Sequence, residues 1–175
     1  MSFVLLTDSS ADLSAEMVRE LDIQVLPLTF TLNETNYCNY PDNRDMDPHL
    51  FYEKLRAGEV ATTAAVNMAQ YTEMLEPLLQ AGQDVLVLAF SSGLSATFQS
   101  SRLAVEELLE KYPSRRLYTV DTLCASMGQG LLVYLAARKR QEGASIEEVR
   151  DWAEANKQSI CHKFTVADLH FLKRG

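Results

Sequence analysis

The hydroxyl side chains of this sequence are grouped as chemistry would require. Leu88 to Ser101 read LAFSSGLSATFQSS, with Ser91 and Ser92 beside Gly93, and Thr62-Thr63, Asp8-Ser9-Ser10 and Asp121-Thr122 form three further clusters. A nucleophilic serine needs a base within hydrogen-bond reach and a carboxylate to orient that base. The three histidines are His49, His162 and His170. His49 falls at a predicted helix start and the others flank the last predicted strand, so the serine turn has no evident base. SSGLS also lacks the GxSxG elbow. As an anion site the turn fares better: Gly93 allows close backbone approach, and a following helix would aim free N–H groups and its positive end at the ligand. The alternative is that Ser95 simply caps that helix, and the stretch alone leaves both readings open.

No metal or cofactor chemistry is indicated. Cys38, Cys124 and Cys161 are scattered without CxxC spacing. His162 and His170 have no ligand spacing, and Asp42, Asp45 and Asp47 lack the calcium-loop pattern. GxGxxG and Walker sequences do not occur, so nucleotide binding has no support.

The elements that must position these residues follow from periodicity. Phe3–Leu6 reads as a strand, and Ser14 starts a helix through Met17, Val18 and Leu21. Ile23–Leu32 reads as a second strand, with a turn at Asn33-Glu34 and a loop over Tyr37–Met46. Asp47-Pro48 pairs an N-cap with a first-turn proline, opening a helix that buries Leu50, Phe51 and Leu55. Thr62-Thr63 falls in a loop. Asn67 and Gln70 form a capping box ahead of Tyr71, Met74, Leu75 and Leu78. The apolar run between Asp84 and Phe90 suits a strand buried on both faces. The serine turn leads into a helix through Ala104, Leu108 and Leu109, and Leu117–Val120 gives another strand. A helix over Leu131, Leu132, Leu135 and Ala136 stops near Gly143; Gly128 and Gly130 inside it point to close packing. Ser145 and Glu148 cap a helix through Val149 and Trp152. Phe164–Val166 reads as a short last strand and Asp168–Lys173 as a helical turn.

This alternation predicts one α/β domain over residues 1–175, with a largely parallel sheet. Ligands of such sheets bind at the carboxyl ends of strands, which singles out Asp8-Ser9-Ser10, Ser91-Ser92-Gly93 and Asp121-Thr122. The 175 residues are 47% hydrophobic and 23% charged, with a formal net charge of −8. That composition suits a globular protein and disfavours nucleic acid or anionic membrane surfaces as partners. A signal peptide and a membrane span are both missing from the pattern, so a cytoplasmic location is expected.

Several of these stretches, taken in order, resemble the DegV family of bacterial fatty-acid-binding proteins. TDSSADLS at Thr7–Ser14 resembles the family's opening TDSTADL, VLPLTFTLN at Val25–Asn33 its second strand, and FYEKL at Phe51–Leu55 the helix after it. SSGLSATFQSS at Ser91–Ser101 resembles SSGLSGTYQSA; VDT at Val120–Thr122, ASMGQGLLV at Ala125–Val133 and FTVADLHFLKRG at Phe164–Gly175 follow in the same order. The resemblance implies a three-layer α/β domain and a protein that binds one long-chain fatty acid and catalyses nothing alone. It implies further that the carboxylate is presented to a separate ATP-dependent kinase subunit, which makes an acyl phosphate for phospholipid synthesis. Matched residue by residue, Thr62 and Ser92 hold the carboxylate, Thr63, Ser91 and Gly93 shape the site, and Arg174 is a candidate contact for the kinase.

Two departures stand out. The family commonly reads TTSQP where this chain has Thr62-Thr63-Ala64-Ala65-Val66, and Ala96 replaces a usual glycine. Family chains also continue past LKRGGRIS into a second domain that closes the lipid pocket and supplies a histidine. This chain is therefore expected to be an N-terminal half, with one apolar wall exposed and a tendency to form homodimers. The competing readings are a small-metabolite phosphotransferase or serine hydrolase, and an inactive half-domain that only self-associates.

Overall fold

The computed structural model describes residues 3–165. Four parallel strands form the main sheet: β1 (Val4–Asp8), β2 (Ile23–Leu26), β6 (Val85–Ala89) and β7 (Leu117–Asp121), in the order β2-β1-β6-β7. Because side chains alternate across a strand, continuous apolar runs feed two cores. Leu5, Leu86, Leu88 and Val120 pack on one face with Val133, Ala136, Ile146 and Val149. Leu6, Val85, Val87 and Leu117 pack on the other with Tyr71, Leu75, Ala104 and Leu108. The first face is covered by α1 (Ala15–Glu20), α5 (Ser126–Gln141) and α6 (Ile146–Asn156), and the second by α3 (Met68–Gln80) and α4 (Thr97–Lys111). The result is the expected three-layer α/β domain.

The capping signals hold. Ser14 Oγ accepts from Met17 N, and both the Asn67/Gln70 and Ser145/Glu148 capping boxes close in both directions. Asp47 accepts the N–H groups of His49 and Leu50 at the start of α2 (Pro48–Arg56), where Pro48 has no N–H to satisfy.

The stretch Ile23–Leu32 is not one strand. It breaks at Pro27, which has no N–H for a sheet ladder, and Leu28 N turns aside to donate to Ser9 Oγ at 2.9 Å. The remainder is β3 (Thr29–Leu32), which belongs to a second, antiparallel sheet of order β4-β3-β5. The other two strands are β4 (Thr35–Cys38) and β5 (Ala61–Ala64). Tyr37 and Cys38 are therefore strand rather than loop, and so are Thr62 and Thr63. Asn33 and Glu34 join β3 to β4 with φ of 48° and 62°, the left-handed pair that a two-residue hairpin loop requires.

The face expected to be buried on α2 is largely open. No residue of α2 is fully buried and Leu50 is 46% exposed, while Phe51 packs edge-on against Phe30 with ring centroids 5.2 Å apart. Gly130 confirms close packing: a Cβ there would lie 2.4 Å from Ala11 O. Cys161–Thr165 form no regular element, so the last predicted strand is absent over Phe164 and Thr165. Val166, the Asp168–Lys173 turn, His170 and Arg174 lie outside the described residues. No described helix is long and apolar enough to cross a membrane.

Candidate functional site

The carboxyl ends of β1, β6 and β7 bring three of the four hydroxyl clusters to one edge. The apolar run of β1 ends in Asp8, which is fully buried. Asp8 Oδ2 accepts Phe90 N at 2.8 Å; Oδ1 accepts Ser10 N at 3.2 Å, the Ser10 hydroxyl, and Gln129 Nε2 at 3.3 Å. Gln129 Nε2 also donates to Thr7 Oγ1, which donates to Leu88 O at 2.7 Å. Burial pushes the Asp8 carboxyl above its ordinary range, against the opposing pull of those donors. Sequence reasoning singled out Asp8-Ser9-Ser10 as a strand-end cluster but missed this network. Its signals were present: a carboxylate directly after an apolar strand, and Gln129 between two glycines on the buried face of α5.

The serine turn is shaped differently from expectation. Helix α4 begins at Thr97, one residue later than a Ser95 cap would place it, with Ala96 at its N-cap and no side-chain cap there. The turn engages its own N–H groups internally, while Phe98 N and Gln99 N at the start of α4 have no partner among the described residues. Ser91 N donates to Cys124 O, Ser92 N to Asp121 Oδ1 at 3.1 Å, and Gly93 N to Ser91 Oγ at 3.2 Å. Leu94 N and Ser95 N both reach Ser91 O, and Thr97 N reaches Ser95 Oγ. Ser95 thus holds the first helical N–H, part of the capping alternative. Ser91 is buried, whereas Ser92 and Gly93 are exposed. The Ser92 hydroxyl makes no hydrogen bond among the described residues.

Thr62 and Thr63 lie on β5, an edge strand, and both are exposed. Neighbouring residues of a strand face opposite sides, and the register sorts them. Thr62 is opposite Thr31, which is opposite Asn36 and donates to Asn36 Oδ1 at 2.7 Å; that face is polar. Thr63 is opposite Phe30, which stacks on Tyr37; that face is aromatic. Thr63 borders a cavity of about 370 Å³ walled by Leu28, Phe30, Met46, Phe51 and Tyr52, with Ser10 and Asp12 at its edge. No hydrogen bond joins either threonine to Ser92, and their own hydroxyls make none among the described residues.

The β7–α5 loop completes the edge. Asp121 Oδ1 accepts Leu123 N as well as Ser92 N, and Leu123 and Ser126 have φ of 53° and 51°. A leucine in the left-handed region is strained, and here its side chain stays 41% exposed. Met127 and Leu131 extend the exposed apolar surface along α5. Among the described residues no group of three or more His, Cys, Asp or Glu side chains is arranged to hold a metal ion.

Comparison with known proteins is consistent from end to end. A DegV domain-containing protein of Clostridium perfringens is 47% identical over 173 residues, covering 99% of this chain and 59% of its own length. One from Lactococcus lactis is 34% identical, covering 100% of this chain and 60% of its own. This chain thus spans about three fifths of the curated relatives it matches. Among solved structures, a DegV family protein from Thermus thermophilus, described for its fatty acid binding, superposes with a TM-score of 0.85 at 33% identity. It covers the whole of this chain and 60% of its own. DegV of Bacillus subtilis, described as a fatty acid binding protein, gives 0.81 at 27% with the same coverage. Residues 2–175 match the family model described as "Uncharacterised protein, DegV family". The order of motifs, the three-layer fold and these matches lead to one conclusion: the chain belongs to the DegV family.

Proposed function

We propose that this chain binds a long-chain fatty acid, holding the carboxylate with the hydroxyls of Thr62 and Ser92, as the N-terminal domain of a two-domain binding protein. The observation that carries the reading is that Thr62, Thr63 and Ser92 present hydroxyls with no partner among the described residues, in a structure that otherwise engages most of its serines and threonines. A carboxylate accepts such hydrogen bonds without needing a cation beside it. Thr63 faces the aromatic cavity across the free edge of β5, which gives the acyl chain an apolar wall within reach of the polar face. The fatty acid binding described for the Thermus thermophilus and Bacillus subtilis relatives supports the same ligand class.

The finer role is the one the family resemblance implies, and the site's chemistry is compatible with it. A head group held only by hydroxyls keeps its carboxylate oxygens reactive and near the surface, which suits presentation to a separate ATP-dependent kinase that forms an acyl phosphate. This chain itself catalyses nothing in this reading. Ser91 and Gly93 set the turn, and Arg174 is the candidate kinase contact. The exposed stripe Met127, Leu131 and Tyr134 on α5 favours self-association as a secondary property.

Titration of a fluorescent fatty acid into delipidated protein tests the reading. Saturable binding that weakens at least tenfold in the Thr62→Ala, Ser92→Ala double variant is expected, from the loss of two hydrogen bonds to a charged group. No binding, together with no acyl chain recovered on extraction of the protein from cells, sinks it.

A further inference from the structure

A carboxylate held at Ser92 is held beside another carboxylate. Asp121 Oδ1 accepts the Ser92 N–H at 3.1 Å and the Leu123 N–H at 3.2 Å, so its charge is fixed a few ångströms from the free Ser92 hydroxyl. On the neighbouring strand Asp8 takes Phe90 N from the other side of the turn. Neither carboxylate is in an ion pair among the described residues. The groups that meet Asp121 among the described residues are the two amides and the Cys124 thiol. Burial and then the Asp121 charge push that thiol up. The N–H groups of Ser91, Ser92, Gly93, Leu94 and Ser95, nearest the Ser92 hydroxyl, are already used, and the unpartnered ones among the described residues begin only at α4.

We propose that Asp121 is a specificity-determining residue for the head group: its fixed charge makes the Ser92 site accept a ligand of low charge and disfavour one of higher charge. This rests on the fatty-acid reading and extends it. A singly charged carboxylate is tolerated because the Ser92 and Thr62 hydroxyls bind it. A phosphorylated, doubly charged head group meets the Asp121 charge twice over and is released. Like charges at this separation near a protein surface are expected to change affinity about tenfold per added charge, equivalent to about 1.4 kcal/mol.

The experiment compares three probes of one chain length, 1-hexadecanol, palmitic acid and hexadecyl phosphate, on the full chain and on Asp121→Asn. Asparagine keeps an Oδ1 acceptor for Ser92 N and Leu123 N, so the turn is retained while the charge is lost. Palmitic acid is expected to bind about tenfold tighter to the variant, hexadecyl phosphate to gain more, and the alcohol to be unchanged. The wild-type chain gives a second measurement that needs no variant. Raising ionic strength screens the repulsion, so the acid and phosphate must tighten relative to the alcohol. Affinity ratios that are equal in both proteins, or insensitive to salt, overturn the role of Asp121 alone. Failure of the wild-type chain to bind any of the three overturns the fatty-acid reading, and this proposal with it.

Discussion

Asp8 and Asp121 hold one turn from the two strands that flank β6: Asp8 Oδ2 takes the Phe90 N–H at 2.8 Å and Asp121 Oδ1 takes the Ser92 N–H at 3.1 Å. Between them Ser91 donates its N–H to Cys124 O, so three successive amides are fixed by three separate partners. The backbone that carries the Ser92 hydroxyl is thus held by its N–H groups before any ligand arrives. The two carboxylates differ in environment, since Asp8 is wholly buried and Asp121 only partly.

Asp8→Asn is expected to destabilise the protein by about 1–3 kcal/mol in acid, because one amide oxygen cannot replace two carboxyl oxygens serving Phe90, Ser10 and Gln129. The gap is expected to shrink as pH rises. Burial raises the folded-state value of Asp8 above its ordinary 3.8. Its favourable contribution is therefore complete below the unfolded value and is lost as pH climbs through the folded one. Urea unfolding of both proteins across that window checks the sign; a gap that widens with pH contradicts it.

Gly130→Ala is expected to cost about 1–3 kcal/mol even though alanine favours a helix by about 1 kcal/mol. The new methyl would sit 2.4 Å from Ala11 O, a backbone atom that cannot turn away. Gly128→Ala makes the contrast, since its nearest neighbours at 2.6 Å belong to the exposed His162 side chain, which can move. Thermal unfolding should rank Gly130→Ala well below Gly128→Ala, and equal losses would refute the backbone clash.

How much of this was legible in the sequence depends on the range of the interaction. The buried run Val85–Ala89, the Asp47-Pro48 helix start and both capping boxes are local, and the sequence displays them. The second sheet was hidden because its strands are four residues each. Thr62 and Thr63 sit on an exposed edge where no apolar alternation is needed, so they read as loop. Pro27 was the available sign that Ile23–Leu32 must break. The Asp8 network was hidden for another reason: Phe90 and Gln129 lie 82 and 121 residues away in the chain. The serine turn showed its importance but not its geometry, since its amides are claimed by Asp121 and Cys124, both on the β7–α5 side.

Tyr71→Phe is expected to stabilise the protein by about 1 kcal/mol. The Tyr71 hydroxyl is buried in the core of the α3–α4 face without a hydrogen-bond partner among the described residues, and an unsatisfied buried hydroxyl costs about 1–3 kcal/mol. Burial first, and then the nearby Asp8, hold its phenol well above the ordinary 10.0, so it stays neutral throughout the useful pH range. Removing the oxygen leaves the ring packing intact. Chemical denaturation decides the matter, and a clear loss of stability would show that an ordered water serves the hydroxyl.

Thr62→Val and Thr63→Val separate the two faces of β5. Valine keeps the shape and the strand preference of threonine while removing the hydroxyl. Thr62 shares its face with Thr31 and Asn36, where a carboxylate finds polar company; Thr63 shares its face with Phe30, beside Phe51 and Tyr52. Thr62→Val is therefore expected to weaken fatty-acid binding by about tenfold, the value of one hydrogen bond to a charged group. Thr63→Val is expected to leave affinity unchanged or tighten it slightly, because it adds apolar wall to the cavity. The opposite order would place the head group inside the aromatic cavity and move the carboxylate contact from Thr62 to Thr63.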